Sequence, residues 1–365
     1  MSISPSQNGK EQIVVIGTYT TPEQSTSEGI YVYGLEPGSG NLHLKSILKD
    51  LTNPSYLAIH PQTGNVYALD ESRTFEGRPG GGVVALSVDP QIESVRVLNK
   101  QSSGGEDPCY ISIERTGRYA LAANYSSGSV AMLPIVDDGR LGGVCSLIQH
   151  SGSSIHPQRQ DQAHAHCILP DPTNTFAVAC DLGIDKLLIY RMDLAVGELI
   201  SHAEVTVAPG SGPRHLVFHP NGRYAYLVCE LSSTVIAFTW DPEGGAFEEF
   251  QTIRTLPPDF HGTNLAADIH ITPDGQFLYA SNRGHDSFAC YEVGPDSGVL
   301  TLKHHTSSGG AEPRGFAVDP SGKLLLAANQ NSDNLVPFLI DPGMGHLSRA
   351  GEEVRVSMPV CVKFA

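Results

Sequence analysis

An 18-residue pattern recurs six times along the chain and starts a seventh time at Pro359, where the chain ends one strand later. The copies run PSYLAIHPQTGNVYALDE from Pro54, PCYISIERTGRYALAANY from Pro108, AHCILPDPTNTFAVACDL from Ala165, PRHLVFHPNGRYAYLVCE from Pro213, AADIHITPDGQFLYASNR from Ala266 and PRGFAVDPSGKLLLAANQ from Pro313. Their starts lie 47 to 57 residues apart, longer than one hairpin and right for a unit of four short strands. Inside each copy apolar residues alternate up to a turn and resume after it, the mark of an antiparallel hairpin. Stretches such as GGVVALSVD and LTLKHHTS add a third and a fourth strand. The pattern predicts an all-β chain: a seven-bladed β-propeller of four-stranded antiparallel blades.

The incomplete seventh copy, MPVCVKFA, supplies one strand, and IVVIGTY, GIYVYGLE and LHLKSILKD near the amino terminus supply the other three in order. One blade is therefore expected from both ends of the chain, closing the ring without a free sheet edge. Residues 1–12 read as a polar tail and 13–365 as one propeller domain. Two separate sandwiches would need a linker, and none interrupts the spacing. A WD-repeat scaffold would need recurring GH and WD pairs, whereas the chain has a single tryptophan, Trp240.

The formal charge of −16 repels phosphate backbones and anionic lipid on average, so nucleic acid and membrane surfaces are not expected partners. Against that field, any cluster of arginines is informative. MSISPSQNGKEQ has no apolar core of signal-peptide length and no segment is long enough to span a bilayer, which predicts a cytoplasmic protein, monomeric or weakly dimeric. The seven cysteines form no CxxC pair and read mostly as small buried hydrophobes.

Positions 2 and 18 of the unit are expected to meet at the end opposite the hairpin turn, facing one mouth of the central channel. Position 2 is Ser55, Cys109, His166, Arg214, Ala267 and Arg314; position 18 is Glu71, Tyr125, Leu182, Glu230, Arg283 and Gln330. Three arginines, two glutamates and a histidine stand where packing alone would repeat apolar residues, and most fall on four consecutive blades. That asymmetry suits one small anionic ligand. His164 and His166 form an H-x-H pair, but a zinc site needs a third ligand and nearby arginines disfavour a cation, so no metal is expected. His166 instead reads as an acid/base or oxyanion group. His215, Asp268 and His285 flank the mouth, while His60 and His219, just before the turns, are expected to be exposed. Position 17, with Asn124, Asn282 and Asn329, reads mainly as structural, although Asn282 adjoins Arg283 and stays among the candidate substrate-binding residues.

The segments IGTYT, DQAHAHCILPDP, GSGPRHLVFHPNGRYAYLVCELSSTV, AADIHITPDGQFLYASNRGHDS and MPVCVKF resemble the seven-bladed lactonase family, which includes propeller-type 6-phosphogluconolactonases and fungal carboxy-cis,cis-muconate cyclases. The resemblance covers essentially the whole chain. It implies a cofactor-free hydrolase acting on a lactone, most directly 6-phospho-D-glucono-1,5-lactone in the pentose phosphate pathway. It also implies a catalytic set of His166 in AHAH, Arg214 in GPRH, Glu230 in CELSS and Arg283 in SNRG. The sequence departs from the family pattern at Cys229, where Asn is usual, and at Ala163, where Pro is usual.

On this reading Glu230 or His166 draws a proton from water, while Arg214 and Arg283 hold the substrate and steady the oxyanion. Arg314 binds a remote phosphate or carboxylate. His164, His215, Asp268, Asn282, His285, Gln330, Glu71 and Tyr125 complete the expected substrate-binding set. Two alternatives stay open: a carboxymuconate-type cycloisomerase using the same arginines, and a non-catalytic propeller that binds a partner through outer loops such as TFEGRPGG around Arg78.

Overall fold

The computed structural model describes residues 11–36, 38–89 and 94–365; residues 1–10 of the expected tail lie outside that range. The first strand is Gln12–Thr18, one residue earlier than the expected domain start. That strand belongs to one of seven four-stranded antiparallel sheets, and the sheet that begins at Pro313 carries a short extra segment at Val354–Arg355. The innermost strands are Leu57–Ile59, Pro108–Ile113, Ala165–Pro170, Pro213–Phe218, Leu265–Ile271, Pro313–Val318 and Pro359–Phe364. Each packs against the next around the channel.

The ring closes as the repeat count requires. Pro359–Phe364 pairs with Gln12–Thr18, with Ile16 opposite Val362, and Gly29–Leu35 and Leu42–Lys49 complete that blade. Both faces of each blade meet a neighbour, which is why the strands read as nearly continuous apolar runs. The core is accordingly a circle of inter-blade clusters. Phe176 and Val178 meet Leu227, Phe238 and Trp240 across one gap; Val14 and Ile16 meet Leu326 and Leu335 across the gap beside the split blade.

Turn chemistry explains the hairpins. Gly222 and Gly275 hold φ of 71° and 77°, a region costly for most side chains, and in the third copy Asn174 takes it at 63°. His60 and His219 are buried, not exposed as the sequence suggested. Each bonds a turn carbonyl of the next blade, His60 Nε2 to Gly117 at 3.0 Å and His219 Nε2 to Gly275 at 3.2 Å, tying adjacent hairpins together.

One irregularity sets the site. In six of the blades the inner strand carries a bulge at its second residue: Cys109, His166, Arg214, Arg314 and Val360 are each an extra residue against the neighbouring strand, and Ala267 with Asp268 oppose Ser281 alone. A bulge breaks the strict in–out alternation and re-aims a side chain. Most of these second residues thereby turn toward the channel mouth.

Candidate active site

The mouth opposite the hairpin turns holds two joined hollows. The outer one, about 270 Å³, is lined by Glu71, Tyr125, Arg159, His166, Glu230, Arg283 and Arg314, with Cys109 and Leu265. That is near the lower end of the roughly 300–1,000 Å³ usual for small-molecule sites. The inner one, about 10 Å³, has room for about one water between Tyr19, Ser55, Tyr56, His166, Arg214, His215 and Arg314. Most residues of positions 2 and 18 line these hollows, but Ala267, Leu182 and Gln330 do not, Ala267 and Leu182 being fully buried.

Glu230 is the hub of one wall. Its Oε2 accepts from Arg214 Nε at 2.8 Å and stands 2.9 Å from Arg283 Nη2, and its Oε1 accepts from Arg159 Nη2. Burial alone would push this carboxyl up, but Arg283, Arg214 and Arg159 override it and hold it down at about 2. Arg214 is tied down on two of its nitrogens while still lining the inner hollow: besides Nε on Glu230, its Nη1 donates to the Ala267 carbonyl at 2.5 Å and reaches His215 Nε2 at 3.3 Å. His215 donates from Nδ1 to Asp268 at 2.8 Å, leaving Nε2 to accept from Arg214, and burial and Arg214 push its pKa down to about 4. Asp268 also receives His270 and the Ile269 amide, so it supports His215 from behind and lines neither hollow.

The opposite wall is built differently. Glu71 accepts from Tyr19 Oη at 3.0 Å and from Ser55 Oγ, and burial raises its pKa despite Arg314. The Arg314 guanidinium lies over the Tyr19 ring, 5.4 Å from its centre. It makes no hydrogen bond among the described residues. His166, between the walls, meets Tyr125 and His215 edge-on at 5.6 and 5.2 Å, and its buried Nδ1 has no partner among the described residues. Burial, then Arg214, His215 and Arg314, keep its pKa well below the usual histidine value.

Other expected site residues lie elsewhere. Asn282 bonds Thr255 and Asn264, holding the chain segment that enters its blade, and touches neither hollow. His285 bonds Ser287 and packs on Phe260, outside both hollows, two residues past the end of its strand. Gln330 turns to Asn331. His164 stacks flat on Tyr125 at 4.4 Å and bonds its carbonyl, serving as a shelf beneath that ring. Among the described residues no three His, Cys, Asp or Glu side chains converge as metal ligands. Cys229 is enclosed in the inter-blade core.

Two contributors escaped the sequence reading. Tyr19 is position 18 of the blade split between the chain ends, as the pairing of Thr18 with Pro359 shows; counting only intact copies passed over it. Arg159 sits in the insertion before Ala165, and the 57-residue spacing there, the longest of the five between copies, was its only trace. The TFEGRPGG segment forms a small hairpin, Thr74–Phe75 with Arg78–Pro79, whose Phe75 is buried. A larger hollow of about 480 Å³ opens at the turn end of the channel beside Ile113, Leu169 and Phe218. Its Asp171 and His219 are spent on turn hydrogen bonds, so it gathers no free reactive group.

Comparison with known proteins agrees with this fold. The family described as "Lactonase, 7-bladed beta-propeller" matches residues 13–364. The 6-phosphogluconolactonase of Bacillus subtilis is 38% identical over 96% of this chain and 97% of its own length. That of Formosa agariphila is 33% identical over 94% and 96%. The solved structure of the Pseudomonas aeruginosa periplasmic gluconolactonase superposes with a TM-score of 0.91 at 35% identity, covering 98% of this chain and 99% of that one. The chain belongs to the seven-bladed β-propeller lactonase family.

Proposed function

We propose that this protein hydrolyses a sugar lactone, with 6-phospho-D-glucono-1,5-lactone as the preferred substrate and 6-phosphogluconate as product, a step of the pentose phosphate pathway. The observation that carries this reading is a division of labour among charged groups. Lining the hollows stand four guanidiniums, Arg159, Arg214, Arg283 and Arg314, against two carboxylates, Glu71 and Glu230, with a third, Glu312, 3.7 Å from Arg283 outside the lining. A chain of formal charge −16 thus concentrates positive charge at one point, which favours an anionic substrate.

Within the cluster, Arg214, Arg283 and Arg159 neutralise Glu230, while Arg314 and His166, whose Nδ1 has no partner among the described residues, line both hollows. A carboxylate held at about 2 is a feeble base at neutral pH. Both Glu230 oxygens are also taken by guanidiniums, whereas His166 Nδ1 has no partner among the described residues, so His166 is the better candidate. Neutral and partly enclosed, it accepts a proton as water attacks the lactone carbonyl, and Arg314 steadies the oxyanion that forms. The tetrahedral intermediate then breaks its bond to the ring oxygen. The imidazolium, made acidic by the same burial and arginines that depress its pKa, returns the proton to that oxygen. Water has added across the ester and the ring is open. Seven unpaired cysteines suit a reducing compartment such as the cytoplasm.

The test is hydrolysis above the spontaneous rate, with solvent oxygen traced into the new carboxyl group. His166→Ala and Arg314→Ala should each lower kcat about 10²-fold or more. A wild-type protein no faster than buffer on this lactone and on glucono-1,5-lactone would overturn the assignment.

A further inference from the structure

Of the four guanidiniums at the mouth, three are carried by the blades and buried or braced there. Arg159 alone comes from a connection, the segment 151–164, and its side chain keeps 31% of its surface exposed where that of Arg283 keeps 5%. It reaches across the mouth to Glu230 Oε1 and Tyr125 Oη, the latter at 3.3 Å.

The segment around it is firmly seated. Gln160, fully buried, donates to the Leu182 carbonyl at 2.9 Å and its Oε1 accepts from the His156 amide at 3.1 Å. Ser154 donates to Asp185 at 2.6 Å and Gln162 to the Ser126 carbonyl at 2.8 Å. Gly128 and Gly183 approach the backbone at 162–163 so closely that any Cβ would collide with it. The backbone is fixed, and one long cationic side chain projects from it over the outer hollow.

Glu230 does not depend on that side chain. Its other oxygen is already served by Arg214 and Arg283, so Arg159 can let go of Oε1 without leaving a bare buried charge. We propose that Arg159 is the specificity residue of the site, leaving Glu230 to pair with a phosphate on the exocyclic end of the substrate at the rim. The phosphate position thereby shifts from Arg314, which the sequence suggested, to Arg159, and Arg314 is left for the carbonyl oxygen. This inference rests on the sugar-lactone reading above. A guanidinium suits the task because its fork meets phosphate with paired donors, and it trades one acceptor for another without changing charge.

The experiment compares kcat/KM for 6-phospho-D-glucono-1,5-lactone and D-glucono-1,5-lactone in the full chain and in Arg159→Ala and Arg159→Lys. The expected result is a phosphorylated-to-unphosphorylated preference in the wild type that falls at least tenfold in Arg159→Ala, carried mainly by KM, with partial recovery in Arg159→Lys. Calorimetric binding of 6-phosphogluconate and gluconate should show the same loss for the phosphorylated acid. An unchanged preference ratio, or a wild type with no preference, overturns the role of Arg159 while leaving lactone hydrolysis standing. A wild type that hydrolyses neither lactone removes the function and this inference together.

Discussion

Burial and the neighbouring Arg214, His215 and Arg314 make a proton on His166 costly, which fixes the direction of the pH response. A base works only when unprotonated, so the acid limb of kcat/KM should lie below the ordinary histidine value of about 6.5. Replacing Arg314 with Met removes one of the opposing charges and should move that limb upward, read from a pH–rate profile on the residual activity. A limb at or above about 6.5 in the wild type contradicts the role given to His166. The same groups bear on stability. His166 and His215 are held uncharged in the fold, whereas in the unfolded chain they charge near 6.5, so below that pH the unfolded state binds more protons and folding weakens toward the His215 value of about 4. Much of this was legible beforehand. His166, Arg214, Glu230 and Arg283 stand together because equivalent repeat positions must share a mouth. What could not be read was how many of their donors are already taken: Arg214 spends Nε on Glu230 and Nη1 on the Ala267 carbonyl.

Between the residue and the ring stands the blade, and its inner strand explains both the successes and the misses. Apolar runs between turns mark the strands and the repeat points its second residue at the mouth, but the bulge at Cys109, Arg314 and Val360 leaves no compositional sign and emerges only from register. Asn282, one residue from Arg283, falls on the bonded side and serves the incoming connection. The blades hold one another through side chains such as Phe176, which is fully buried against Trp240 at a ring separation of 5.9 Å. Phe176→Ala should cost about 3–5 kcal/mol, seen as a lower denaturant midpoint at unchanged slope. Because Phe176 stands at the turn-proximal end of its strand, far along the strand from Leu182, KM for the lactone should stay near that of wild type while the protein remains folded.

The whole molecule is a closed circle whose seam is a pair of strands from opposite ends of the sequence, Gln12–Thr18 and Pro359–Phe364. Removing residues 359–365 takes away the inner strand of that blade, with buried Val360, Cys361 and Val362. The truncated chain should melt well below the parent, and equal melting temperatures would mean the seam contributes nothing. Tyr19 and Val360, on the two sides of that seam, both line the inner hollow. Seam and active site are thus one structure, and a frayed seam should also cost activity. The seam has a temporal meaning as well. At about 5–20 residues per second, the ribosome needs roughly 20–70 s between making the first of these strands and the last. Throughout that interval Gln12–Thr18 has no partner on its inner side, leaving an open edge of the kind that pairs with other chains. A nascent chain of this protein is therefore most vulnerable to association with its neighbours on a polysome until its final strand emerges.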